Sequence, residues 1–400
     1  MDKKIKSVAD VNPFFTYIIG FTIALIIYQL DWSYLFPSLT LSLVSFLILT
    51  FVISGFIGLY VHRKGILKNY EYVNKLNVNW IVLAITISYI LNFIYAKQIP
   101  LFSIANNADI DYREFGIPTF YVILATFTSF FTVYLFKCYI VEKKRKYLFL
   151  CLYLFIFPIL IFTRGAVLLN LSSIFFLYLF SYKKNKIKIY LSIVAIIFTV
   201  LIGFGVLGNI RTSNQIDKGQ TQELSEIMLN LAEAKPSFVN SPVPKAYFWS
   251  YLYISSPLAN LQININEQKP TYNLPSVLQY VNSELNFDFI SKRIFAFFNV
   301  QKRDNTLIAP FLTVGTVYST SYTYLGWWGM SITFLFMMGV SFCYLIIIRP
   351  QNPYFSTALA MLNTLLLFCI FDNMMNFSGM SFQLVYPILL SLKFKKVKAV

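Results

Sequence analysis

Three arginines beside apolar runs are the residues whose chemistry is easiest to name. Arg113 lies in an acidic stretch with Asp111 and Glu114, Arg164 falls in a tight connection between two apolar runs, and Arg211 follows another. A guanidinium bonds phosphate oxygens in pairs and stays charged at any physiological pH, so three together would form a diphosphate receptor. The alternative is that Arg164 and Arg211 reach lipid headgroups and that Arg113 pairs with its acidic neighbours.

A general base near such a site would be a carboxylate. His62 is the single histidine, and the charge pattern places it on the opposite, inner face. The outer candidates are Asp111, Glu114, Asp304 and Asp372, unless a good diphosphate leaving group makes base assistance dispensable. Asp372, at the end of an apolar run, would act as a proton acceptor, pair with an arginine, or simply face solvent. No metal-ligand pattern, nucleotide-binding loop or hydrolase elbow occurs in the sequence.

An aromatic stretch, residues 246–263, is a further candidate contact surface. It places Tyr251 and Tyr253 before a Ser255-Ser256-Pro257 break. Such a stretch would stack against the apolar faces of a sugar, re-enter the edge of the bilayer, or form an interfacial aromatic belt.

The elements that must position these residues are membrane spans. The chain is 57% hydrophobic and 12% charged, with a mean hydropathy of +0.63, which leaves too little polar surface for a soluble globule. Runs near twenty apolar residues are long enough to cross about 30 Å of hydrocarbon. They predict about ten transmembrane helices: 13–30, 33–60, 79–96, 118–137, 147–163, 165–181, 189–208, 319–347, 355–371 and 379–392.

The positive charge fixes the predicted orientation. With a cytoplasmic N-terminus, 21 of the 33 lysines and arginines fall on inner segments, as the positive-inside rule requires, and both termini are cytoplasmic. The outer loop 209–318 is nearly balanced, with nine basic and eight acidic residues. The net charge of +16 therefore reflects membrane topology rather than nucleic-acid binding. The first apolar run is predicted to be a retained span and not a cleaved signal peptide.

The predicted fold class is an all-α polytopic membrane protein with one membrane domain, residues 1–400, and one large outer loop. Loops as long as 209–318 are usually functional. The loop is expected to carry amphipathic or interfacial helices. The first is predicted over 221–234, where apolar residues recur at helical spacing before Pro236.

Several short motifs in this order resemble the Wzy-type O-antigen or oligosaccharide repeat-unit polymerases, over nearly the whole chain. The motifs are Ile99-Pro100-Leu101-Phe102-Ser103, Arg113-Glu114-Phe115-Gly116, Thr163-Arg164-Gly165, Gly208-x-x-Arg211, YISSPLANL from Tyr253 to Leu261, and YTYLGWWG from Tyr322 to Gly329.

The resemblance implies a GT-C-like membrane glycosyltransferase of the bacterial cytoplasmic membrane whose site faces outward. Its substrates would be two undecaprenyl-diphosphate-linked glycans, one donating its glycan to a sugar hydroxyl of the other, to build an O-antigen (lipopolysaccharide) or capsule. It implies no cofactor, metal or nucleotide sugar, and as partners a chain-length regulator and a flippase of the same pathway.

The resemblance also suggests residue roles. Arg164, Arg211 and Arg113 would neutralise the diphosphate as its charge develops, and Asp111 or Glu114 would polarise the acceptor hydroxyl. The expected substrate contacts are Tyr251, Tyr253, Tyr322, Tyr324 and Asp372. Gly326 and Gly329 would let helices pack closely around the lipid carrier.

Three other functions compete with this interpretation. An O-antigen ligase typically has a functional histidine in its outer loop, and this chain has none there. A transporter or flippase for the same lipid-linked sugars would show broken spans, polar groups at the bilayer midplane and often a pseudo-repeat. A structural subunit of an envelope assembly complex would tolerate Arg211→Ala.

Overall fold

The computed structural model describes residues 5–7, 11–70, 76–105, 115–181 and 224–392, and its regular structure is almost entirely helical. The strands β1 (Ile5–Ser7) and β2 (Lys68–Tyr70) form one antiparallel pair. The first helices are α1 (Pro13–Tyr28), α2 (Leu41–Arg63), α3 (Val78–Ala96), α4 (Pro100–Ala105), α5 (Phe120–Glu142), α6 (Arg145–Leu154), α7 (Ile156–Leu160) and α8 (Arg164–Ser181). The later helices are α9 (Leu224–Leu231), α10 (Pro236–Val239), α11 (Tyr247–Glu267), α12 (Leu274–Glu284), α13 (Asp288–Phe297), α14 (Ser319–Ile348), α15 (Phe355–Phe368), α16 (Ser378–Ser381) and α17 (Val385–Leu392).

Four of the described helices, α2, α3, α5 and α14, are long and apolar enough to cross a membrane. Shorter apolar helices cover Pro13–Tyr28, Gly165–Ser181 and Phe355–Phe368. A helix satisfies its own backbone hydrogen bonds, which is why apolar segments in lipid adopt it. The chain is therefore an integral membrane protein, as its composition predicts.

The helix bounds depart from the predicted runs at three places. The run predicted over 33–60 becomes helical only at Leu41, because Ser33 forms an isolated bridge with Ala234 and a turn over residues 34–35 follows it. The run 147–163 divides into α6 and α7 at Phe155. The run 379–392 consists of α16, a 3-10 turn and α17. The predicted segment 189–208 lies outside the described residues.

Polar side chains tie the apolar helices together in the interior. Thr16 of α1 donates a 2.6 Å hydrogen bond to Asn363 of α15. At the next residue of α15, the hydroxyl of Thr364 lies 2.9 Å from the hydroxyl of Ser173 of α8. Hydrogen bonds between helices and close van der Waals packing hold helices together in lipid, where the hydrophobic effect contributes little. These contacts fix α15 between α1 and α8.

Every second connection between the long helices lies at the same end of the bundle, and we call this end the loop face. Among the described residues it comprises 29–40, 97–105 together with 115–119, 232–318 and 369–377. Lys235 pairs with Asp31 at 2.6 Å, Arg293 donates to Thr119, and the backbone N–H of Val317 donates to Cys369 at 2.9 Å. Four connections that are distant in sequence thus form one continuous surface.

Helix α14 is broken near its start. Leu325 and Gly326 have non-helical backbone angles, with Gly326 at φ +55°. The hydroxyls of Ser321 and Thr333 lie 2.7 Å apart, although twelve residues of straight helix would separate them by about 18 Å. The chain therefore turns back at Gly326, and the short helical piece 319–324 folds against the long piece 327–348. At 1.5 Å per residue the long piece measures about 33 Å, enough to cross a bilayer core.

Candidate functional site

The loop face contains a buried carboxyl, Glu284, at the last residue of α12. Its side chain is only 2% exposed. One carboxyl oxygen accepts from the hydroxyl of Ser283 at 2.9 Å, and the other accepts from Asn373 at 3.0 Å and from Ser321 at 3.3 Å. Burial raises the pKa of Glu284, while Lys302 and these hydrogen bonds oppose the rise. The carboxyl is thus held by groups from three separate parts of the chain.

A second carboxyl, Asp372, lies next to this cluster and is accessible to solvent. Its Oδ1 accepts a 2.7 Å hydrogen bond from the backbone N–H of Asn373. The residue is exposed, yet desolvation by the surrounding protein raises the pKa of Asp372, opposed by that hydrogen bond and by Lys302. Lys302 is exposed and acts electrostatically on both Asp372 and Glu284.

Arg303 fixes the irregular segment that follows α13. Its Nη2 donates to Ser276 at 2.7 Å and to Thr271 at 2.8 Å, and its Nη1 donates to the carbonyl of Thr323 at 3.2 Å. The guanidinium also lies 5.2 Å from the ring centre of Tyr324, whose hydroxyl accepts from the Arg303 backbone N–H at 3.1 Å. These contacts join α12 to the short first piece of α14.

Two asparagines of α11 hold the next residues of the same segment. The Asn260 amide donates to the carbonyls of Leu312 and Val314, at 2.7 and 2.9 Å. Asn264 accepts from the backbone N–H of Thr306 at 2.9 Å. Backbone groups of the irregular segment 298–318, which is part of the loop face, are therefore satisfied by buried side chains.

The arginines predicted to bind diphosphate lie mostly where the structure gives no description. Arg113, Arg211, Asp111 and Glu114 are outside the described residues. Arg164 is the first residue of α8, and only its backbone is described. The preceding turn is closed by Thr163, which donates through both its N–H and its hydroxyl to the carbonyl of Pro158. The convergence of the three guanidiniums stays a prediction.

The four predicted tyrosines are located, and three of them are buried. Tyr251 packs against Trp32 and Phe36, and its hydroxyl accepts from the Trp32 N–H at 3.0 Å. The Tyr322 hydroxyl donates to the carbonyl of Ile265 at 3.3 Å, and the Tyr324 hydroxyl accepts from the backbone N–H of Arg303. Tyr253, half-buried and stacked on Trp249, is the most accessible of the four.

The aromatic stretch is one continuous helix, α11, despite Pro257 in its interior. Most of its side chains are buried against α1 and α14 rather than displayed. The predicted helix over 221–234 corresponds to α9, which is helical from Leu224 to Leu231.

Glu284, Asn373, Lys302 and Arg303 were not predicted from the sequence. Helical spacing gives no signal for Glu284, because it follows Val281 by three residues and falls at the edge of the apolar face formed by Leu274, Val277, Leu278 and Val281. That pattern would suggest a buried apolar face, whereas the structure buries the polar one. For Asn373 and Arg303 no sequence spacing marks their partners, which lie tens of residues away.

Chemically, the described part of the loop face offers hydroxyls, amides, two carboxyls with raised pKa and two cations. Such groups bind polyhydroxylated and anionic ligands through hydrogen bonds and charge. Among the described residues, no three His, Cys, Asp or Glu side chains lie together in a way that could hold a metal ion.

Comparison with known proteins gives a family. No curated protein and no solved structure matches the chain. The family model described as O-antigen polysaccharide polymerase Wzy matches residues 11–230, more than half of the chain. The matched region includes Arg113, Arg164 and Arg211 and ends before Glu284. The chain therefore belongs to the O-antigen polysaccharide polymerase Wzy family.

Proposed function

We propose that the protein polymerises undecaprenyl-diphosphate-linked oligosaccharide repeat units into a surface polysaccharide, an O-antigen or a capsule. The observation that carries the proposal is the family match over residues 11–230 in a chain with membrane-spanning helices. In the reaction, the bond between the donor sugar C1 and the diphosphate oxygen breaks, and a bond forms between C1 and an acceptor hydroxyl oxygen. The hydroxyl proton leaves to a base or to solvent, and the lipid diphosphate departs.

The protein is proposed to lie in the bacterial cytoplasmic membrane with the loop face outward. The lysine and arginine distribution supports this orientation, because the segments at the opposite end carry most of the cations. A polymerase acting on that side needs no nucleotide donor, since the lipid diphosphate already activates the sugar.

Arg164, Arg211 and Arg113 are proposed to bind the diphosphate. Charge develops on its oxygens as the glycosidic bond breaks, and guanidiniums held in place stabilise that charge without reorganising. The N-terminus of α8, where Arg164 stands, adds a positive helix-dipole end to the same site. Asp111 or Glu114 is proposed to orient the acceptor hydroxyl.

The glycan is proposed to lie along the described part of the loop face. Asp372 is accessible there and would accept hydrogen bonds from sugar hydroxyls, with Tyr253 as a stacking surface. Tyr251, Tyr322 and Tyr324 would act mainly by shaping this surface, because their rings are buried and their hydroxyls already hydrogen-bonded. No cofactor or metal enters the proposed reaction.

The test is a polymerisation assay on the full-length protein in nanodiscs. A synthetic lipid-diphosphate repeat unit is added with a chelator present, and products are separated as a glycan ladder. We expect a ladder from wild type and none from Arg164→Ala or Arg211→Ala. Arg145→Ala is the matched control, because Arg145 is also the first residue of a helix, α6, but is predicted on the inner side.

A loss of activity in the control equal to that of the site variants would contradict the diphosphate role. Absence of a ladder from folded wild-type protein with its cognate substrate would contradict the polymerase function itself.

One observation favours a second candidate, a transporter of the same lipid-linked oligosaccharides. Helix α14 is broken at Gly326, and broken helices are common at the substrate sites of transporters. The break lies beside the polar groups of the loop face, before the membrane-length piece 327–348 begins. A break at the depth of the bilayer midplane would be expected of a transporter, so its position favours the polymerase. Movement of a fluorescent lipid-linked glycan across protein-containing vesicles, without any ladder, would reverse this preference.

A further inference from the structure

Helix α12 (Leu274–Glu284) is amphipathic with its faces reversed relative to a soluble protein. The residues turned toward the protein are mostly polar: Ser276, Tyr280, Ser283 and Glu284. The residues turned away from it are apolar and exposed: Leu274, Val277, Leu278 and Val281. In water this outward face would carry the full cost of exposed apolar area, about 25 cal/mol per Å². Some apolar medium must therefore cover it.

The neighbouring helix α13 continues the same exposed surface. Phe297 is 84% exposed and Phe298, just after the helix, is 66% exposed. Tyr272, just before α12, is also exposed. Lys292 and Arg293 are exposed cations on the same helix, and Arg293 donates to Thr119 directly before the first residue of α5. Exposed aromatic rings beside cations are the usual composition of a protein surface at the lipid headgroups.

The depth of α12 follows from its contact with the membrane-spanning piece of α14. The Tyr280 hydroxyl lies 2.8 Å from the Thr333 hydroxyl and 3.1 Å from the carbonyl of Gly329. The outward side chains Trp328, Ile332 and Leu335 of α14 are themselves exposed, as side chains facing lipid are. Since Tyr280 lies in the middle of α12, the outward face of α12 adjoins a surface that faces acyl chains.

We propose that α12 and α13 form a re-entrant hairpin inserted into the adjacent leaflet of the bilayer, with acyl chains covering their outward apolar face. The helix α12 would enter and leave on the loop-face side, about 16 Å long and too short to cross. Its polar face would then form a wall between the lipid and the Glu284 cluster. The bilayer is the favoured occupant because the surface is continuous with the lipid-facing side of α14.

The inference is tested by fluorescence quenching on the full-length protein in nanodiscs without lipid-linked substrate. Single-cysteine labels are placed at Leu278→Cys and Phe297→Cys in a Cys343→Ser background, where the remaining cysteines are buried. Native Cys343, exposed on α14, supplies the lipid-facing reference. Asp304→Cys, on an exposed loop residue, supplies the aqueous reference.

We expect brominated acyl chains to quench the labels at Leu278 and Phe297 about as strongly as the label at Cys343. Iodide in the buffer should quench them several-fold less than the label at Asp304. Quenching by iodide equal to that at Asp304 would place the hairpin in water and overturn the inference. Protection from both quenchers, with disulfide cross-linking of Leu278→Cys between two copies, would show a protein partner instead and would equally overturn it.

Discussion

Asn373 holds Glu284 by two hydrogen bonds from one amide nitrogen, to the backbone carbonyl at 2.9 Å and to the carboxyl at 3.0 Å. A second amide, Asn376, donates to the carbonyl of Ser283 at 2.7 Å. The connection 369–377 is thus tied to the end of α12 by side chains rather than by backbone pairing alone. Because Asp372 is the residue before Asn373, this tie also fixes the position of the accessible carboxyl.

The first prediction concerns the pH dependence of stability at Glu284. Burial raises the pKa of Glu284 above its usual value of about 4.5, so the folded state holds its proton to higher pH than the unfolded state does. Stability from this group is therefore fully present below the unfolded pKa and is lost as pH rises through the folded pKa. Glu284→Gln mimics the protonated form, so we expect it to flatten this decline, as measured by melting in detergent across that range.

The control is Glu267→Gln, which removes one exposed carboxyl at the end of α11. It should leave the slope of stability against pH close to that of wild type. Equal slopes for wild type and Glu284→Gln would show that the buried carboxyl does not govern the dependence. Glu284→Ala removes the carboxyl that accepts from Ser283, Asn373 and Ser321, and it should destabilise by about 1–3 kcal/mol.

The second prediction concerns the break in α14. Gly326 has φ +55°, and a Cβ there would lie 2.9 Å from the Pro270 side chain and 3.1 Å from the Tyr272 hydroxyl. Gly326→Ala should therefore reduce the free energy of unfolding by about 1–3 kcal/mol, measured by thermal or denaturant unfolding in detergent. Gly339→Ala is the matched control on the same helix, since a Cβ there meets nothing within 4 Å. It should be neutral or stabilise by up to about 1 kcal/mol.

If Gly326→Ala and Gly339→Ala have equal effects, the backbone at Gly326 is not strained by a side chain, and the break must relax into a helix. A straight helix through this position would separate Ser321 from Thr333. Loss of that contact would be visible as failure of a Ser321→Cys, Thr333→Cys pair to form a disulfide.

Hydropathy was sufficient to predict that the chain is a membrane protein made of helices, because a run of apolar residues leaves the backbone no other way to pair in lipid. It located α3 and α8 within one residue at each end, and α5 extends five residues beyond its predicted run. It could not locate the break at Gly326, since apolar content says nothing about φ and the run 319–347 remains apolar across it. The non-helical residues around Pro37, before α2, were not predicted for the same reason.

The candidate site was less accessible to sequence reasoning than the fold. Arginines beside apolar runs could be predicted as site residues, because placing a charge next to the hydrocarbon has a high free-energy cost. Glu284 and Asn373 carry no such mark, because their partners lie 37 to 89 residues away and only the folded chain brings them together. Periodicity identified a helical face in 221–234, but the same pattern in α12 does not tell which medium covers its apolar side.

The third prediction concerns Asp372 as a glycan contact. Asp372→Asn keeps the oxygen that accepts from the Asn373 N–H, so the fold of the connection should be preserved. It removes the negative charge that strengthens hydrogen bonds from sugar hydroxyls. Bonds to charged groups contribute roughly 1.5–3 kcal/mol, so we expect polymerisation to fall about 10- to 100-fold at limiting substrate while the melting temperature is unchanged.

Asp288→Asn is the comparison variant for that assay. Asp288 lies in the first turn of α13, where its negative charge favours the helix dipole, so losing that charge should lower stability before it lowers turnover. Unchanged polymerisation by folded Asp372→Asn would remove Asp372 from the set of substrate contacts.

The last prediction separates the charge of Arg303 from its shape. A lysine at this position keeps the positive charge but cannot span Thr271, Ser276 and the Thr323 carbonyl with a planar fork. Arg303→Lys should therefore reduce the free energy of unfolding by about 1.5–3 kcal/mol. Arg293→Lys is the matched control, because Arg293 is exposed and its described side-chain bond is to Thr119 alone, so its loss should cost under about 0.5 kcal/mol.

A double-mutant cycle with Tyr324→Phe then measures the coupling between the Arg303 side chain and the Tyr324 hydroxyl. The phenylalanine keeps a ring beneath the guanidinium but removes the hydroxyl that accepts from the Arg303 backbone N–H. If the Arg303 side chain acts only through the bonds of its guanidinium to Thr271, Ser276 and Thr323, the two substitutions remove different bonds. Their effects on the free energy of unfolding should then add within about 0.5 kcal/mol. A coupling above about 1 kcal/mol would instead mean that the guanidinium and the tyrosine hydroxyl hold the segment after α13 as one unit, so that the position of Arg303 on the ring depends on the bond beside it.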